Sequence, residues 1–239
     1  MSENILQNKN CLITGATGGI GKEIAKCLAK KRCNLFLTGR SKEKLEEIYN
    51  EIKSDEIKIS YHAADLSKNE ERQKLIEVTR HNFHEIDILI NCAGKFLIKS
   101  ILESTLEDFE SSFNVNVKVP FILTKEFVND MISNKWGRII NIGSSSSYAG
   151  FTNGTIYSGS KHAILGISRA LYLELKEKNV RVLCLSPGST KTDMAKISTD
   201  QDFETFLDPK EVAKFVEFLI SFDNELVVEE IRLNRMEIR

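Results

Sequence analysis

The sequence has almost no net charge and no long apolar run. Its 33 lysine and arginine residues nearly balance 34 aspartate and glutamate residues, for a formal net charge of −1. This balance does not require a strongly basic surface for a nucleic acid, and we interpret the cluster Lys30, Lys31 and Arg32 as a solvated helix end rather than a local basic patch. No apolar stretch reaches the roughly 18 residues of a membrane span, and the start, MSENILQNKN, has no apolar signal-peptide core. We therefore predict a cytoplasmic protein that binds neither nucleic acid nor membrane.

Cysteine and histidine are also scarce. The five cysteines include no Cys-x-x-Cys pair, and the four histidines show no metal-ligand spacing. An odd number of cysteines in mostly apolar contexts is typical of packing residues in a reducing compartment. We predict no metal site.

Proline is too infrequent to mark a linker, with three residues at positions 120, 187 and 209. Instead, apolar runs of strand length alternate with longer segments of helical period, from CLITG and IGKEIAKCLAKK to PKEVAKFVEFLIS and ELVVEEIRL. Strands that are apolar on both faces and separated by helices indicate a parallel sheet with helices on both sides. We predict an α/β fold and one domain over residues 1–239.

A glycine-rich segment, LITGATGGIGKEIAK, runs from the first predicted strand into the first helix. Gly15, Gly19 and Gly21 lie where a tight turn, a close backbone approach and strand–helix packing are needed. The free amides and positive dipole end of the helix suit a pyrophosphate. Turns also use glycine for backbone reasons alone, but the position between strand and helix favours phosphate binding.

The second predicted strand ends in Gly39 and Arg40. An NAD-specific site usually has an acidic residue here, which binds the ribose 2′-hydroxyl. A guanidinium instead suits a 2′-phosphate, because it can donate paired hydrogen bonds to it. We predict that NADP(H) is favoured over NAD(H); the alternative is that Arg40 is a solvated loop residue.

Two further segments follow predicted strands. Asp65 and Leu66 come after the third strand, where the adenine edge would lie, and Asn91, Ala93 and Gly94 come after the fourth. Small residues at the latter place let a flat ring approach the backbone. Each segment alone could be a plain loop, but both lie at the carboxyl ends of successive strands, where open parallel sheets bind ligands.

The segment YSGSKHAI places Tyr157 and Lys161 four residues apart, on one face of a predicted helix. A free phenol holds its proton too tightly to exchange it readily at neutral pH. A lysine ammonium about 4 Å away, at an effective dielectric of about 20, would stabilise the phenolate by roughly 4 kcal/mol. The pair could be an ordinary surface pair, but beside a cofactor site it predicts an acid–base residue and the cation that activates it.

Together these segments resemble the short-chain dehydrogenase/reductase family. The matching segments lie between residues 14 and 192 and read TGATGGIG, NCAG, NVNVK, INIGSSSS, YSGSK and SPGSTKT. The resemblance implies a single-domain, Rossmann-type doubly wound parallel sheet, a nicotinamide cofactor, and hydride transfer to or from a carbonyl carbon. Among its branches the sequence resembles the 3-oxoacyl-[acyl-carrier-protein] reductases, which implies a small carbonyl or alcohol substrate, with acyl thioesters among the candidates.

By position, the resemblance implies four catalytic residues, Asn116, Ser144, Tyr157 and Lys161. Ser144 would hold the carbonyl oxygen and stabilise the developing alkoxide. Lys161 would also bind the ribose hydroxyls, and Asn116 would position a water that resupplies protons. Ser145 is the alternative to Ser144, and Asn114 is a less favoured alternative to Asn116.

The resemblance also implies a set of cofactor-binding residues along the carboxyl edge of the sheet. Among them, Thr192 would hold the carboxamide of the nicotinamide. The full set is Gly15, Thr17, Gly19, Ile20, Gly21, Arg40, Asp65, Leu66, Asn91, Ala93, Gly94, Tyr157, Lys161, Pro187, Gly188, Thr190 and Thr192.

The helical segment from about Thr155 to Lys178 is apolar almost all round, which is typical of a helix buried on more than one side. The sheet can cover one side, and a second copy of the chain can cover the other. We therefore predict a homodimer or homotetramer. Besides a carbonyl reductase, two functions stay open: a dehydrogenase of a sugar, polyol or other secondary alcohol, and a catalytically silent cofactor-binding protein.

Overall fold

The computed structural model describes residues 4–197 and 201–236. Its seven strands are β1 Asn10–Thr14, β2 Asn34–Gly39, β3 Ile59–Ala63, β4 Ile88–Asn91, β5 Gly137–Ile142, β6 Val180–Pro187 and β7 Glu230–Leu233. The longer helices are α1 Gly19–Lys30, α2 Lys42–Ile52, α3 Asn69–Asn82, α4 Leu106–Phe113, α5 Val119–Ser133, α6 Thr155–Leu175 and α7 Pro209–Ile220.

The strands form one sheet in the order β3-β2-β1-β4-β5-β6-β7, and all six neighbouring pairs are parallel. The chain therefore winds outward from β1 to β3, then crosses to β4 and winds the other way. The reversal between β1 and β4 opens a crevice at the carboxyl ends of these two strands, which is where such sheets bind ligands. The predicted doubly wound α/β fold is confirmed.

Two apolar layers cover the faces of the sheet. On one face α1, α2 and α7 pack against strand residues such as Ile13, Leu35 and Ile90. On the other face α3, α5 and α6 pack against Leu12, Leu89 and others. Most residues of the inner strands are buried on both faces because helices cover both, which explains why these strands read as mainly apolar runs. The edge strands β3 and β7 are less buried.

Two predicted elements differ from the structure. The helical tract predicted from about Leu106 to Asn134 is interrupted by a π-helical turn, Asn114–Lys118, between α4 and α5. The last strand, predicted over ELVVEEIRL, covers only Glu230–Leu233, which pair with the end of β6. The domain prediction for residues 1–239 includes residues 1–3, 198–200 and 237–239, which lie outside the described residues. Within the described ranges, each helix is too short or too polar to cross a lipid bilayer.

Candidate active site

The glycine-rich loop between β1 and α1 packs against the end of β4. Gly15 has φ +64°, in the left-handed region, and a Cβ at this position would lie 2.7 Å from the Ala93 nitrogen. Thr14 Oγ1 accepts hydrogen bonds from the amides of Cys92 and Ala93, both at 3.1 Å. The loop is therefore fixed at the point where the strand order reverses, and Gly15 cannot carry a side chain there.

The first turn of α1 has the character of an anion site. Gly18 at the N-cap supplies no side-chain cap, and the first turn has no acidic residue. Lys22 follows in this turn, although a cation at a helix N-terminus opposes the helix dipole unless an anion is present. The uncapped amides fit the diphosphate of a dinucleotide, which binds at such termini, whereas Lys22 Nζ is paired with Glu51 on α2 at 3.2 Å.

A cleft of about 370 Å³ extends from this helix terminus to the loop after β6. Its lining includes Lys22, Lys191 and Lys196 together with Asp193. Each lysine is in an ion pair, Lys22 with Glu51, Lys191 with Glu204 and Lys196 with Asp193, so carboxylates partly balance the positive charge of the lining. Thr192 closes one end, because a Cβ on Gly19 would lie 2.7 Å from Thr192 Cγ2. The structure thus places Thr192 next to the glycine-rich loop, as a role in holding the cofactor requires.

The predicted adenine and ribose residues lie at the ends of β2 and β3. Arg40 is exposed. Asp65 Oδ1 accepts hydrogen bonds from the Ser67 nitrogen at 3.0 Å and hydroxyl at 2.7 Å. These bonds, with a smaller contribution from Arg40, hold the pKa of Asp65 below its usual range. Leu66 is buried, and its carbonyl accepts from Arg72 at 2.8 Å. Asp65 is therefore ionised beside an exposed guanidinium.

Tyr157 and Lys161 lie on the inner face of α6 and are 8% and 6% exposed. Lys161 Nζ donates to the Ile142 carbonyl at the end of β5 at 2.8 Å. The same Nζ is 5.8 Å from the centre of the Tyr157 ring, so the ammonium lies close enough to act on the phenol electrostatically. His162 is exposed, and its Nδ1 is 2.9 Å from the Ser158 carbonyl oxygen. The two predicted catalytic residues are brought together, and His162 points away from them.

Ser144 follows β5 directly and begins a short 3₁₀ turn, Ser145–Ser147. Its Oγ accepts from the Ser146 amide at 3.1 Å, and its amide donates to the Ser147 hydroxyl oxygen, also at 3.1 Å. Ser144 and Ser145 are both half-buried. The turn thus holds the backbone of Ser144 two residues beyond the carbonyl that binds Lys161, while the Ser144 hydroxyl keeps its proton available for donation.

Asn116 lies in the π-helical turn and is 2% exposed. Its Oδ1 accepts from the Lys95 amide at 2.7 Å, and its Nδ2 donates to the Lys95 carbonyl at 2.9 Å and to Ser160 Oγ at 2.9 Å. Asn114, two residues earlier, instead donates to the Ser67 carbonyl at 2.7 Å. Asn116 is therefore the asparagine that contacts the tyrosine helix, and its side chain is occupied by protein groups.

The remaining predicted cofactor residues differ in their accessibility. Asn91 is buried inside β4, and its Nδ2 donates to Asn141 Oδ1 at 2.8 Å. Gly94 faces the site, because a Cβ there would lie 3.5 Å from Asn116 Oδ1 and 3.9 Å from Lys161 Nζ. Of the others, Thr17, Ile20 and Gly188 are half-buried, whereas Gly21 in α1, Pro187 at the end of β6 and Thr190 beyond it are buried.

Sequence reasoning missed several residues that shape the site. Thr14 binds the turn after β4, and Ser160 connects Asn116 to α6 by the 2.9 Å hydrogen bond. Phe96 packs edge-to-face on Tyr157, with ring centres 4.7 Å apart. A polar residue ending an apolar strand was the available signal for Thr14, whereas no local pattern marks Phe96.

Tyr148, just after the serine turn, contacts the edge strand β7. Its hydroxyl lies 3.3 Å from Glu230 Oε2, and the Glu230 carboxylate also receives two hydrogen bonds from Arg169 at 3.0 and 3.1 Å. Burial, followed by the Glu230 charge, raises the pKa of Tyr148. This cluster links the serine turn to β7 and favours the protonated phenol at Tyr148.

Comparisons with known proteins agree with the fold. The sequence profile of the short chain dehydrogenase family matches residues 9–202. An uncharacterized oxidoreductase of Staphylococcus saprophyticus is 34% identical over 227 residues, covering 95% of this chain and 97% of that one. A Staphylococcus aureus uncharacterized oxidoreductase is 31% identical, with the same coverage of 95% and 97%.

Two solved structures share the fold over nearly the whole chain. One is an alcohol dehydrogenase from the archaeon Thermococcus sibiricus complexed with 5-hydroxy-NADP, with TM-score 0.87 and 28% identity over 96% of this chain and 97% of that one. The other is a metagenomic short-chain oxidoreductase in complex with NADP, with TM-score 0.84 and 26% identity over 97% and 99% of the two chains.

Proposed function

Because the chain belongs to the short-chain dehydrogenase family, we propose that it reduces a carbonyl compound to a secondary alcohol with NADPH. It is an NAD(P)-dependent oxidoreductase acting on CH–OH groups. The observation that carries the proposal is the pair Tyr157 and Lys161, buried side by side at the end of β5. When bound, the cofactor supplies the hydride that reaches the carbonyl carbon, or accepts it in the reverse direction.

The protein's own part in the reaction is proton transfer and stabilisation of charge. The Tyr157 hydroxyl gives its proton to the substrate oxygen in reduction and takes one back in oxidation. Lys161 stabilises the resulting phenolate, and its bond to the Ile142 carbonyl at 2.8 Å holds the ammonium in place. The Ser144 hydroxyl donates a hydrogen bond to the substrate oxygen as negative charge develops there.

The residues that would hold the dinucleotide follow the carboxyl edge of the sheet. The amides at the start of α1 suit the diphosphate, and Lys22 can reach it by leaving its exposed ion pair with Glu51. Gly94 leaves space for a flat ring near Lys161. Thr192 suits the carboxamide. Asn116 acts by fixing Lys95 and Ser160, which keeps the turn after β4 in register with α6.

The test of the reaction compares Tyr157→Phe with the control Tyr172→Phe. Tyr172 lies on the same helix, about four turns away from Tyr157. Loss of the proton donor should lower kcat for ketone reduction by about 100- to 10,000-fold, while NADPH affinity stays near that of the parent. Tyr172→Phe should retain parental activity. Parental turnover by Tyr157→Phe would contradict the mechanism, and a parent that binds NADPH without reducing any carbonyl would indicate a silent cofactor-binding protein.

NADP(H) preference is proposed from Arg40. The guanidinium is exposed after the end of β2 and acts on the nearby Asp65 carboxylate, and its exposed face is available to a 2′-phosphate. A charge-assisted contact of this kind is worth about 10- to 100-fold in affinity. Arg40→Gln should therefore weaken NADPH binding by that factor and NADH binding little, whereas Lys53→Gln, at the far end of α2, should change neither. An unchanged NADPH/NADH ratio in Arg40→Gln would refute the role.

The substrate class is proposed by analogy with the family branch that the motifs resemble. We take 3-oxoacyl thioesters as the first class to assay and sugars and polyols as the comparison class. Both reactions need the same proton donor, so only the relative kcat/KM values separate them. Faster oxidation of a polyol than reduction of every thioester and ketone tested would favour the dehydrogenase alternative.

Self-association is proposed from one exposed face. Along α6 the exposed residues include Gly166, where an added Cβ would have no atom within 4 Å, and Leu173, which is 63% exposed. On the helices beside it, Phe109 and Phe121 are 44% and 51% exposed. Small and apolar residues together suit close helix packing between two copies. Light scattering should give twice the mass of one chain for the parent protein and the mass of one chain for Gly166→Arg. The control variant Gly150→Arg should keep the mass of the parent. A measured mass of four chains would indicate a second interface in addition to this one. A monomeric parent protein would refute the proposal.

A cytoplasmic location is proposed from the cysteines. All five are free thiols, as is usual for proteins of a reducing compartment. Fractionation of the native host should recover the protein with cytoplasmic markers, and recovery outside the cytoplasm would contradict the proposal.

A further inference from the structure

Two phenylalanines lie against the ring of Tyr157. Phe96, in the turn after β4, packs edge-to-face with ring centres 4.7 Å apart and planes at 81°. Phe151, in the loop before α6, has its ring centre 6.3 Å from that of Tyr157 and 6.1 Å from that of Phe96. Gly154 makes room for Phe151, because a Cβ at Gly154 would collide with the Phe151 ring. We call Phe96 and Phe151 the aromatic wall.

The loops that carry the aromatic wall are held in place by hydrogen bonds. Lys95, the residue before Phe96, is held at both its amide and its carbonyl by the buried side chain of Asn116. Lys99 donates its amide to the Asn153 carbonyl at 2.7 Å, which joins the loop of Phe96 to the loop of Phe151. The rings are therefore positioned by the fold before any ligand binds.

The wall is apolar and partly open to solvent. Phe151 is 39% exposed and Phe96 is half-buried, although both lie beside the reacting phenol. The two lysines of the same loop are directed to α4, since Lys95 Nζ donates to Ser111 Oγ and Lys99 Nζ to Asp108 Oδ2, both at 2.6 Å. The chain thus keeps two partly exposed rings at Tyr157 and engages both lysines of this loop with α4.

We propose that the aromatic wall binds the substituent of the substrate and selects carbonyl compounds that carry a planar, apolar group next to the carbonyl carbon. This inference rests on the proposed carbonyl reduction at Tyr157. A ring on the substrate can pack against Phe96 and Phe151 while its carbonyl oxygen meets the Tyr157 hydroxyl. Each aromatic contact adds about 2- to 10-fold in affinity beyond the area that it buries, which a methyl group in the same place cannot supply.

The experiment compares ethyl benzoylformate with ethyl pyruvate, two keto esters that differ in a phenyl and a methyl group. The parent should prefer the phenyl ester by about 10-fold or more in kcat/KM. Phe96→Leu and Phe151→Leu should each reduce this ratio by about 5-fold, mainly through KM. Phe215→Leu, a partly exposed phenylalanine on α7, should leave the ratio as in the parent. A parental preference for ethyl pyruvate, or an unchanged ratio in both wall variants, would overturn the proposal.

A binding measurement separates the wall from the reaction. Ethyl mandelate and ethyl lactate, the alcohols formed from the two esters, can be titrated by ligand-observed NMR, with and without NADP. Tighter binding of ethyl mandelate that is lost in Phe96→Leu and Phe151→Leu supports the wall, even if the parent reduces neither ester and the proposed function fails. Equal binding of the two alcohols to the parent would refute the wall while leaving the function of Tyr157 untouched.

Discussion

Replacement of Gly15 by alanine tests the packing of the cofactor loop most directly. Gly15 has φ +64°, and a Cβ built there would lie 2.7 Å from Ala93 N, 2.8 Å from Ala93 Cα and 2.9 Å from Cys92 C. All three atoms belong to the main chain at the end of β4, so no side-chain rotation can relieve the contact. Either Gly15 or the end of β4 must shift.

Two costs add in Gly15→Ala. The left-handed conformation costs a residue with a Cβ about 1–2 kcal/mol, and overpacking against a fixed neighbour costs about 1–3 kcal/mol. We therefore expect a loss of about 3 kcal/mol in the free energy of unfolding, which for a chain of this size lowers the Tm by about 6–12 °C. NADPH binding should weaken further, because the shift moves the loop that would cradle the diphosphate.

The assay is urea unfolding at one fixed protein concentration, with NADPH binding measured on the folded variant. Gly150→Ala is the matched control, because Gly150 is exposed in a loop and an added Cβ there has no atom within 4 Å. Its stability should stay within about 0.5 kcal/mol of the parent. A Gly15→Ala variant that unfolds with the control and binds NADPH normally would show that the loop is not packed against β4 as described.

Three other predictions concern charge and burial. Arg138 is 1% exposed, burial lowers its pKa to about 10, and it pairs with Asp223 at 2.8 Å. Asp223→Ala should lower the free energy of unfolding in urea by about 2 kcal/mol. This is less than the loss of one partner from a fully buried pair, because Asp223 is 39% exposed. Burial raises the pKa of Cys33 to about 12, so iodoacetamide followed by mass spectrometry should label Cys33 only after unfolding. A hydrogen bond from Lys99 lowers the pKa of Asp108 to about 2. Since the folded value lies below the unfolded one, of about 4, the stabilisation is complete at neutral pH and lost as pH falls. The stability gap between the parent and Asp108→Asn should therefore narrow between about pH 5 and about pH 2, whereas a constant gap would contradict it.

The sheet was predictable because its signal is local. All six residues of β5 and all four of β4 are buried, so each of these strands reads as a mainly apolar segment between polar ones. The strands β1, β2 and β6 are buried at all but one residue each. Gly15 was predictable for a similar reason, since a tight turn between a strand and a helix restricts the residue at that point. Tyr157 and Lys161 share the inner face of α6 because a four-residue spacing places two side chains on one side of any helix.

Other features have no clear local signal in the sequence. The π-turn at Asn114–Lys118 inserts extra backbone into a helix, and the spacing of apolar side chains does not reveal a single insertion of this kind. Whether Asn91 points into the cofactor site depends on its neighbour in the next strand, Asn141, to which it is hydrogen-bonded. Phe96 and Tyr157 are 61 positions apart in the sequence, and only the folded chain brings them together. The roles of these residues toward cofactor and substrate stay predictions.

The buried polar residues next to the site explain how the fold keeps α6 in position. Asn91 donates to Asn141 at 2.8 Å, Asn141 Nδ2 donates to Ser168 Oγ at 2.9 Å, and Ser168 donates to the Ile164 carbonyl at 2.7 Å. This chain runs from β4 through β5 to α6. Apolar packing alone would tolerate small sliding of α6 along the sheet, whereas a slide that breaks these bonds leaves buried amides unsatisfied, at about 1–3 kcal/mol each. The network therefore fixes the register of α6, and with it the place of Tyr157 relative to the end of β5.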